Sequence, residues 1–300
     1  TAAPAAAPSS AASSALNAST VASNQRHELV FIDGATPEIQ ALVDALLASN
    51  DGTRHFELVL LDTQADGITQ ISNTLAGRQG LDGVHLIGHG SAGAMQLGSA
   101  TLDKARLSSD AQAIAGWGRA LSADADLLLY GCDFAGNASG QEALATLATL
   151  TGADVAASVN PTGASARGGD WTLEAQHGVI DTGNLIGAAT VQSLQGWQHT
   201  LAIYTVNSTA DTGIGTLRQA LIDANANAGT DSIVFNIAGT GVHTITLGSA
   251  LPDITDGVLI NASTDDSFAA NGNKPAIILN VNGIAATNGL RLTNTADNST

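Results

Sequence analysis

The chain predicts a mixed α/β domain followed by an all-β region, and three observations carry that prediction. From about Glu28 to residue 160, short apolar runs alternate with helical patterns. After about residue 200 the helical patterns nearly vanish, while Asn, Thr, Asp and Gly rise. Within the first regime stand two apolar runs, LIGHG ending at Gly90 and LLLYGCD ending at Asp133, which stop on reactive side chains.

Residues 1–26 are Ala, Ser, Pro and Thr with almost no large apolar side chains, which reads as a flexible linker. Leu29–Ile32 is then a strand. Residues 37–48 form a helix with Ile39, Leu42, Val43, Leu46 and Leu47 on one face and Thr36 as its N-cap. Phe56–Leu61 is a strand, Ile68–Leu75 a helix, and Val84–Ile87 a third strand ending at His89. Residues 94–102 read as a small hairpin and 109–121 as a helix. Leu127–Tyr130 is a strand ending at Cys132, 140–150 a helix, and Val155–Val159 a fifth strand. Strands alternating with helices imply right-handed crossovers and a mostly parallel sheet covered on both faces. Trp171–Gln176 alternates like an edge hairpin, with Gly168–Gly169 as its turn, and Trp117, Trp171 and Trp197 are expected to anchor the core and the domain seam. Beyond 200, β runs are expected at 233–237, 243–247, 258–261, 276–280 and 289–292, with one helix at 216–225 ahead of them. The expected units are thus a linker over 1–26, an α/β domain over 27–200 and a β region over 201–300.

Composition narrows the function. Hydrophobic residues are 44% and charged residues 12%, so a real core exists beneath a surface of small polar side chains. Ten basic residues against a net charge of −17 leave no cluster to hold a phosphate backbone, so nucleic acid is not an expected partner. Such acidity suits an exported protein, a basic peptide partner or divalent cations. No apolar stretch approaches the roughly 18 residues that span a bilayer, and membrane insertion is not expected. With no starting Met, and with the β pattern running on towards Thr300, the sequence reads as a piece of a longer chain.

Cys132 is the only cysteine, and His89 stands 43 positions upstream at an equivalent strand end. Catalytic groups collect beyond the carboxyl ends of parallel strands, so neighbouring strands would present a thiol and an imidazole to one another. The backbone N–H groups of Gly90 and Cys132 would converge on a carbonyl oxygen as it becomes anionic. Against this stands a bland alternative, since a free cysteine after LLLYG is most often a small core residue. Asp133, Asp154 and Ser158 fall near the expected strand ends and would line a pocket for a basic side chain before the cleaved bond. Carboxylates there more often cap turns. LIGHGSAG also approaches the nucleophile elbow of serine hydrolases, but His89 stands where the G-x-S-x-G register around Ser91 needs glycine. The seven histidines show no zinc spacing. No DxDxDG loop marks a calcium site, so no cofactor is expected and calcium stays unassigned.

An apolar strand, His-Gly, then a second apolar strand ending in Cys resembles the caspase-like (clan CD) cysteine peptidases, whose histidine precedes the cysteine by about 50 residues. More narrowly, residues 27–200 resemble an uncharacterised domain near the N-terminus of very large bacterial surface and adhesin-like proteins. VFID, HLIGHG, LLLYGCD, TGADVAAS and GGDWTLE carry that resemblance. It implies His89 as general base or acid, Cys132 as nucleophile and Gly90 as an oxyanion donor. The caspase QACRG string is replaced by YGCDFAG. The segment TVNSTADTGIGTLRQALIDANAN resembles the opening of right-handed β-helix regions of bacterial surface proteins, with a helix capping the first coil. The expectation is a caspase-like cysteine peptidase domain on an extracellular or cell-surface protein, acting on a peptide or on its own chain. The rival expectation is a non-catalytic adhesin or scaffold module with cell-surface partners and a buried Cys132.

Overall fold

A six-stranded sheet organises the first two thirds of the chain in a computed structural model, which describes residues 25–48, 52–183, 185, 194, 197, 199–227, 231–272, 274–281 and 289–293. The expected linker over 1–26 lies outside the described residues except for Gln25 and Arg26, and Arg26 already opens the first strand. The strands are β1 (Arg26–Asp33), β2 (Arg54–Leu61), β3 (Leu81–Ile87), a hairpin of β4 (Gly90–Ser91), β5 (Ala94–Leu97) and β6 (Ala100–Asp103), β7 (Leu121–Tyr130), β8 (Asp154–Ala157) and β9 (Ala175–His177). The large sheet runs β2-β1-β3-β7-β8-β9, parallel throughout except for the β8–β9 pair at its edge. Helices α1 (Ile39–Ala48), α2 (Gly67–Leu75), α3 (Lys104–Ser109), α4 (Ala111–Trp117) and α5 (Ala138–Thr151) complete this mixed α/β unit.

Both sheet faces are buried, which is why its strands read as unbroken apolar runs. One face, with Leu29, Phe31, Leu86, Leu127 and Leu129, packs on α2, α4 and α5. The other, with Val30, Ile32, Ile87, Leu128, Tyr130 and Cys132, packs on α1 and on Trp171 and Trp197. The amino end of the sheet holds a buried charged group that the strand pattern did not announce. Glu28 accepts from Arg54 Nε at 2.8 Å and lies 2.9 Å from His85 Nε2. Burial raises the Glu28 carboxyl, but the bonds from His85 and Arg54 outweigh it and hold it below the usual range.

Local chemistry corrects several expectations. The helix expected over 109–121 is two short helices broken at Asp110, and β7 begins already at Leu121. The polar SADAD segment hid the first half of that strand. Thr36 does not cap α1. Its N–H turns back to the Asp33 carbonyl at 3.0 Å, and its buried hydroxyl has no bonding partner among the described residues. The fifth strand ends at Ala157, and only Ala175–His177 of the expected edge hairpin forms a strand. Helix α5 behaves as its sequence predicts, opened by the Asn137 side chain on Gly140 N and closed by left-handed Gly152.

Beyond residue 202 the chain forms β10 (Ile203–Val206), α6 (Leu217–Ala226), β11 (Asp231–Phe235), β12 (His243–Thr246), β13 (Val258–Asn261), α7 (Asp266–Ala270) and β14 (Ile277–Asn280). Strands β10, β11 and β13 stack in parallel, as do β12 and β14, and Ile254 bridges Leu292 in parallel. This part is not all β, since α6 and α7 belong to it. The short α7 is a departure from expectation, nucleated by Asp265, whose side chain accepts from Ser267 N. Val206, Leu217, Leu221, Ile233, Phe235, Ile245 and Val258 form the core beneath α6.

Buried Asp231 makes that unit pH-sensitive. It is 1% exposed, and burial raises its carboxyl to about 8, with Asn227 pulling the other way. The folded state therefore holds a proton that the unfolded chain loses near 3.8, so this contribution falls as pH rises towards 8. His89, held at about 4, acts oppositely below 6.5, while Asp33, raised to about 6, acts in the same sense as Asp231 below that pH. His85, also lowered by burial, acts in the same sense as His89, and between pH 6.5 and 8 both fade while Asp231 dominates. At about 1.4 kcal/mol per pH unit, stability is expected to drop by about 2 kcal/mol across that window. Denaturation midpoints at the two pH values check this, and Asp231→Asn should flatten the difference.

Candidate active site

The site lies where β3 and β7 end. His89 follows β3 and Cys132 follows β7, adjacent parallel strands whose last paired residues are Ile87 and Tyr130. Their backbones touch: a Cβ on Gly90 would lie 2.5 Å from the Gly131 carbonyl carbon and 2.6 Å from the Cys132 nitrogen. Only glycine permits that approach.

Residues 199–202 run through the site as an extended strap. On one side Thr200 pairs antiparallel with Gly163, through Ala164 N–H to His199 O at 2.8 Å and Leu201 N–H to Thr162 O at 3.0 Å. On the other side Ala202 bridges Gly90 in parallel, and Gly90 N–H donates to Leu201 O at 2.7 Å. His89 Nδ1 lies 3.1 Å from the Ala202 carbonyl, and Nε2 lies 3.2 Å from the Ala35 carbonyl. Cys132 Sγ accepts from Thr162 N–H at 3.1 Å and faces the Thr162 carbonyl at 3.6 Å. Leu201 is fully buried in the apolar cluster that contains Cys132, Tyr130, Trp171 and Trp197.

Each loop that meets the strap has an identifiable support. Asp33, at the end of β1, accepts from Ala35 N–H at 2.8 Å and from Gly98 N–H, so it fixes both the Ala35 carbonyl and the hairpin. The 158–162 loop is stitched to β7's end by Asp133 N–H to Asn160 O and Ala135 N–H to Ser158 O, each 2.9 Å. Trp197 donates from Nε1 to Pro37 O at 2.9 Å and its ring lies tilted at 5.5 Å from that of Trp171, which anchors the chain just before the strap. Thr200 exchanges hydrogen bonds with Asn227 beyond α6, and Asn227 also donates to Asp231 at 2.6 Å.

Electrostatically the pair is neutral. Burial pushes the Cys132 thiol up to about 12, against the Thr162 and Leu201 N–H groups that favour the thiolate. Burial likewise holds His89 at about 4, against the two carbonyls that favour the charged ring. A neutral imidazole donates from one nitrogen only, so one ring nitrogen faces a carbonyl with its lone pair.

The structure brings His89, Gly90 and Cys132 together around one peptide segment. It does not assemble Asp133, Asp154 and Ser158 into a pocket. Asp154 opens β8 at the opposite end of the sheet, roughly 10 Å from Ala157 along the strand. Ser158 donates to Asn160 O at 2.9 Å, and Asp133 is a half-buried turn residue with φ +56°. Ser91 sits in β4 opposite Ala94, on a hairpin and not on a strand-to-helix elbow. Among the described residues no group of three His, Cys, Asp or Glu side chains is placed to hold a metal. Two clefts of about 730 and 780 Å3 share Ala35 and Leu259, but neither is lined by Cys132.

Sequence reasoning missed Asp33, Ala35, Thr162 and the strap. Asp33 carried one signal, a carboxylate closing the buried VFID run.

Fold and site together define a mixed α/β protein with a largely parallel central sheet and a histidine–cysteine pair at its carboxyl edge. Residues 29–201 match the model of the family described as "Domain of unknown function (DUF4347)", and the chain belongs to that family. No curated protein and no solved structure matches the chain.

Proposed function

We propose that residues 27–202 form a caspase-like cysteine peptidase domain of an exported bacterial surface protein, with Cys132 as nucleophile and His89 as base and acid. One observation carries this reading: Gly90 N–H holds a peptide carbonyl beside Cys132 while His89 faces the next residue of the same segment. A donor at 2.7 Å from a carbonyl oxygen is what an oxyanion needs when that carbon becomes tetrahedral. With the Nε2–H given to Ala35 O, Nδ1 carries the lone pair, which meets the Ala202 carbonyl at 3.1 Å at rest and would turn from it to take the thiol proton and later deliver it to the leaving amine. The thiol is kept un-ionised by burial, so proton transfer accompanies attack and no ion pair waits in advance. The parallel stacking beyond residue 202 pairs Ile203 with Ser232, Asp231 with Val258 and His243 with Ile277, intervals of 29, 27 and 34 residues, and with α6 over the first coil it supports the start of a β-helix that displays the domain.

The test follows intact mass during incubation at neutral pH. Wild type should convert to two fragments, and Cys132→Ala and His89→Ala should each stay whole. A wild-type chain that stays whole, with a thiol that alkylates only in denaturant, would favour the scaffold module instead.

A further inference from the structure

We infer that the domain's substrate is its own Leu201–Ala202 bond, with the 199–202 strap held in the site as a bound peptide. This inference rests on the peptidase reading above.

Four observations place this bond at the reacting centre. The strap is extended and paired along one edge, through His199 O and Leu201 N–H, which is how a sheet edge grips a peptide. Of its carbonyls, Leu201 O takes the Gly90 N–H. The Leu201 N–H bonds Thr162 O, and the Thr162 N–H bonds the sulfur at 3.1 Å, so the sulfur stands beside residue 201. The imidazole meets the carbonyl of Ala202 at 3.1 Å, on the residue whose nitrogen would leave. The side chain on the acyl side is Leu201, fully buried among Tyr130, Trp171 and Trp197. An apolar side chain is therefore selected there, in place of the basic one expected from Asp133, Asp154 and Ser158.

The step balances without any further reagent but water. The Cys132 S–H proton moves to His89 Nδ1 as the sulfur bonds to the Leu201 carbonyl carbon. The oxyanion forms on the oxygen already held by Gly90. Collapse breaks the Leu201 C–Ala202 N bond, and His89 returns the proton to that nitrogen as the new amine. Water then adds to the thioester: its oxygen becomes part of the Leu201 carboxyl group, and a proton restores the thiol. The acid product remains paired to Thr162 and Ala164, which blocks the cleft and limits the domain to one turnover.

The experiment compares the 300-residue chain, Leu201→Met and Ala202→Pro, reading fragment masses after incubation. Fragments ending at residue 201 and beginning at Ala202 are expected. The Leu201→Met mass change should appear in the amino-terminal fragment, and Ala202→Pro should stay whole because proline blocks the bond. A Cys132-dependent break at another position would overturn the assignment and leave the peptidase reading standing. If wild type stays whole the assignment also falls, and a Thr-Leu acyloxymethyl ketone offered to Trp197→Ala, in which the strap over Cys132 loses its anchor, then decides the wider question. Labelling of Cys132 would keep the peptidase reading, and its absence would remove both.

Discussion

Gly90→Ala should cut fragment formation at least about a hundredfold and lower stability by about 3 kcal/mol. The added methyl would stand 2.5 Å from Gly131 C, 2.6 Å from Cys132 N and 2.7 Å from Cys132 O. All three atoms are backbone, so no side chain can swing away, and overpacking of this kind reaches about 3 kcal/mol. The relief available is to separate the β4 segment from the β7 turn. That movement carries the Gly90 N–H away from the Leu201 carbonyl, and losing one oxyanion donor removes about 100- to 1,000-fold in rate. Gly116→Ala is the matched control. A Cβ there meets nothing within 4 Å in helix α4, so stability should rise by up to about 1 kcal/mol with cleavage unchanged. Urea midpoints and timed intact masses read both effects. Equal cleavage by wild type and Gly90→Ala would remove Gly90 from the oxyanion role.

The ends of buried strands were legible because a parallel sheet covered on both faces needs apolar residues on every position. LIGHG and LLLYGCD therefore announced both their burial and where it stops. Where a strand begins in solvent the signal fails, as at Leu121–Asp126, whose residues 122–124 are half-buried or exposed. The strap was illegible for a different reason. It is held chiefly through backbone N–H and C=O groups, which every residue carries, so HTLA reads as any linker between domains. The Ala35 carbonyl is invisible in the same way, although Asp33, which positions it, is not. The expectation of an acidic pocket fails because a carboxylate next to a strand in sequence can open that strand as well as close it. Asp154 is near Cys132 in the order of elements but at the wrong end of β8.

Trp197→Ala should destabilise the α/β unit by about 3–5 kcal/mol, the largest loss expected from one substitution here. Its ring is 2% exposed, lies 5.5 Å from Trp171 and 5.2 Å from His199 between centroids, and packs against Gly163. Removing it leaves a cavity beneath the strap and strands the buried Pro37 carbonyl, which loses the Nε1–H bond. Trp197→Phe restores much of the volume but not the bond, so its cost should be smaller than that of alanine by the packing share, leaving about 1 kcal/mol for the hydrogen bond plus some imperfect fit. The two substitutions also separate stability from access. Cys132 is shielded by a strap whose anchor is this ring, so alanine should let iodoacetamide reach the thiol without denaturant, whereas phenylalanine should keep it protected. If Trp197→Ala loses stability yet its thiol stays closed, the strap is held by its own backbone pairing to Thr162–Ala164 and Gly90. The tryptophan would then act on the core alone.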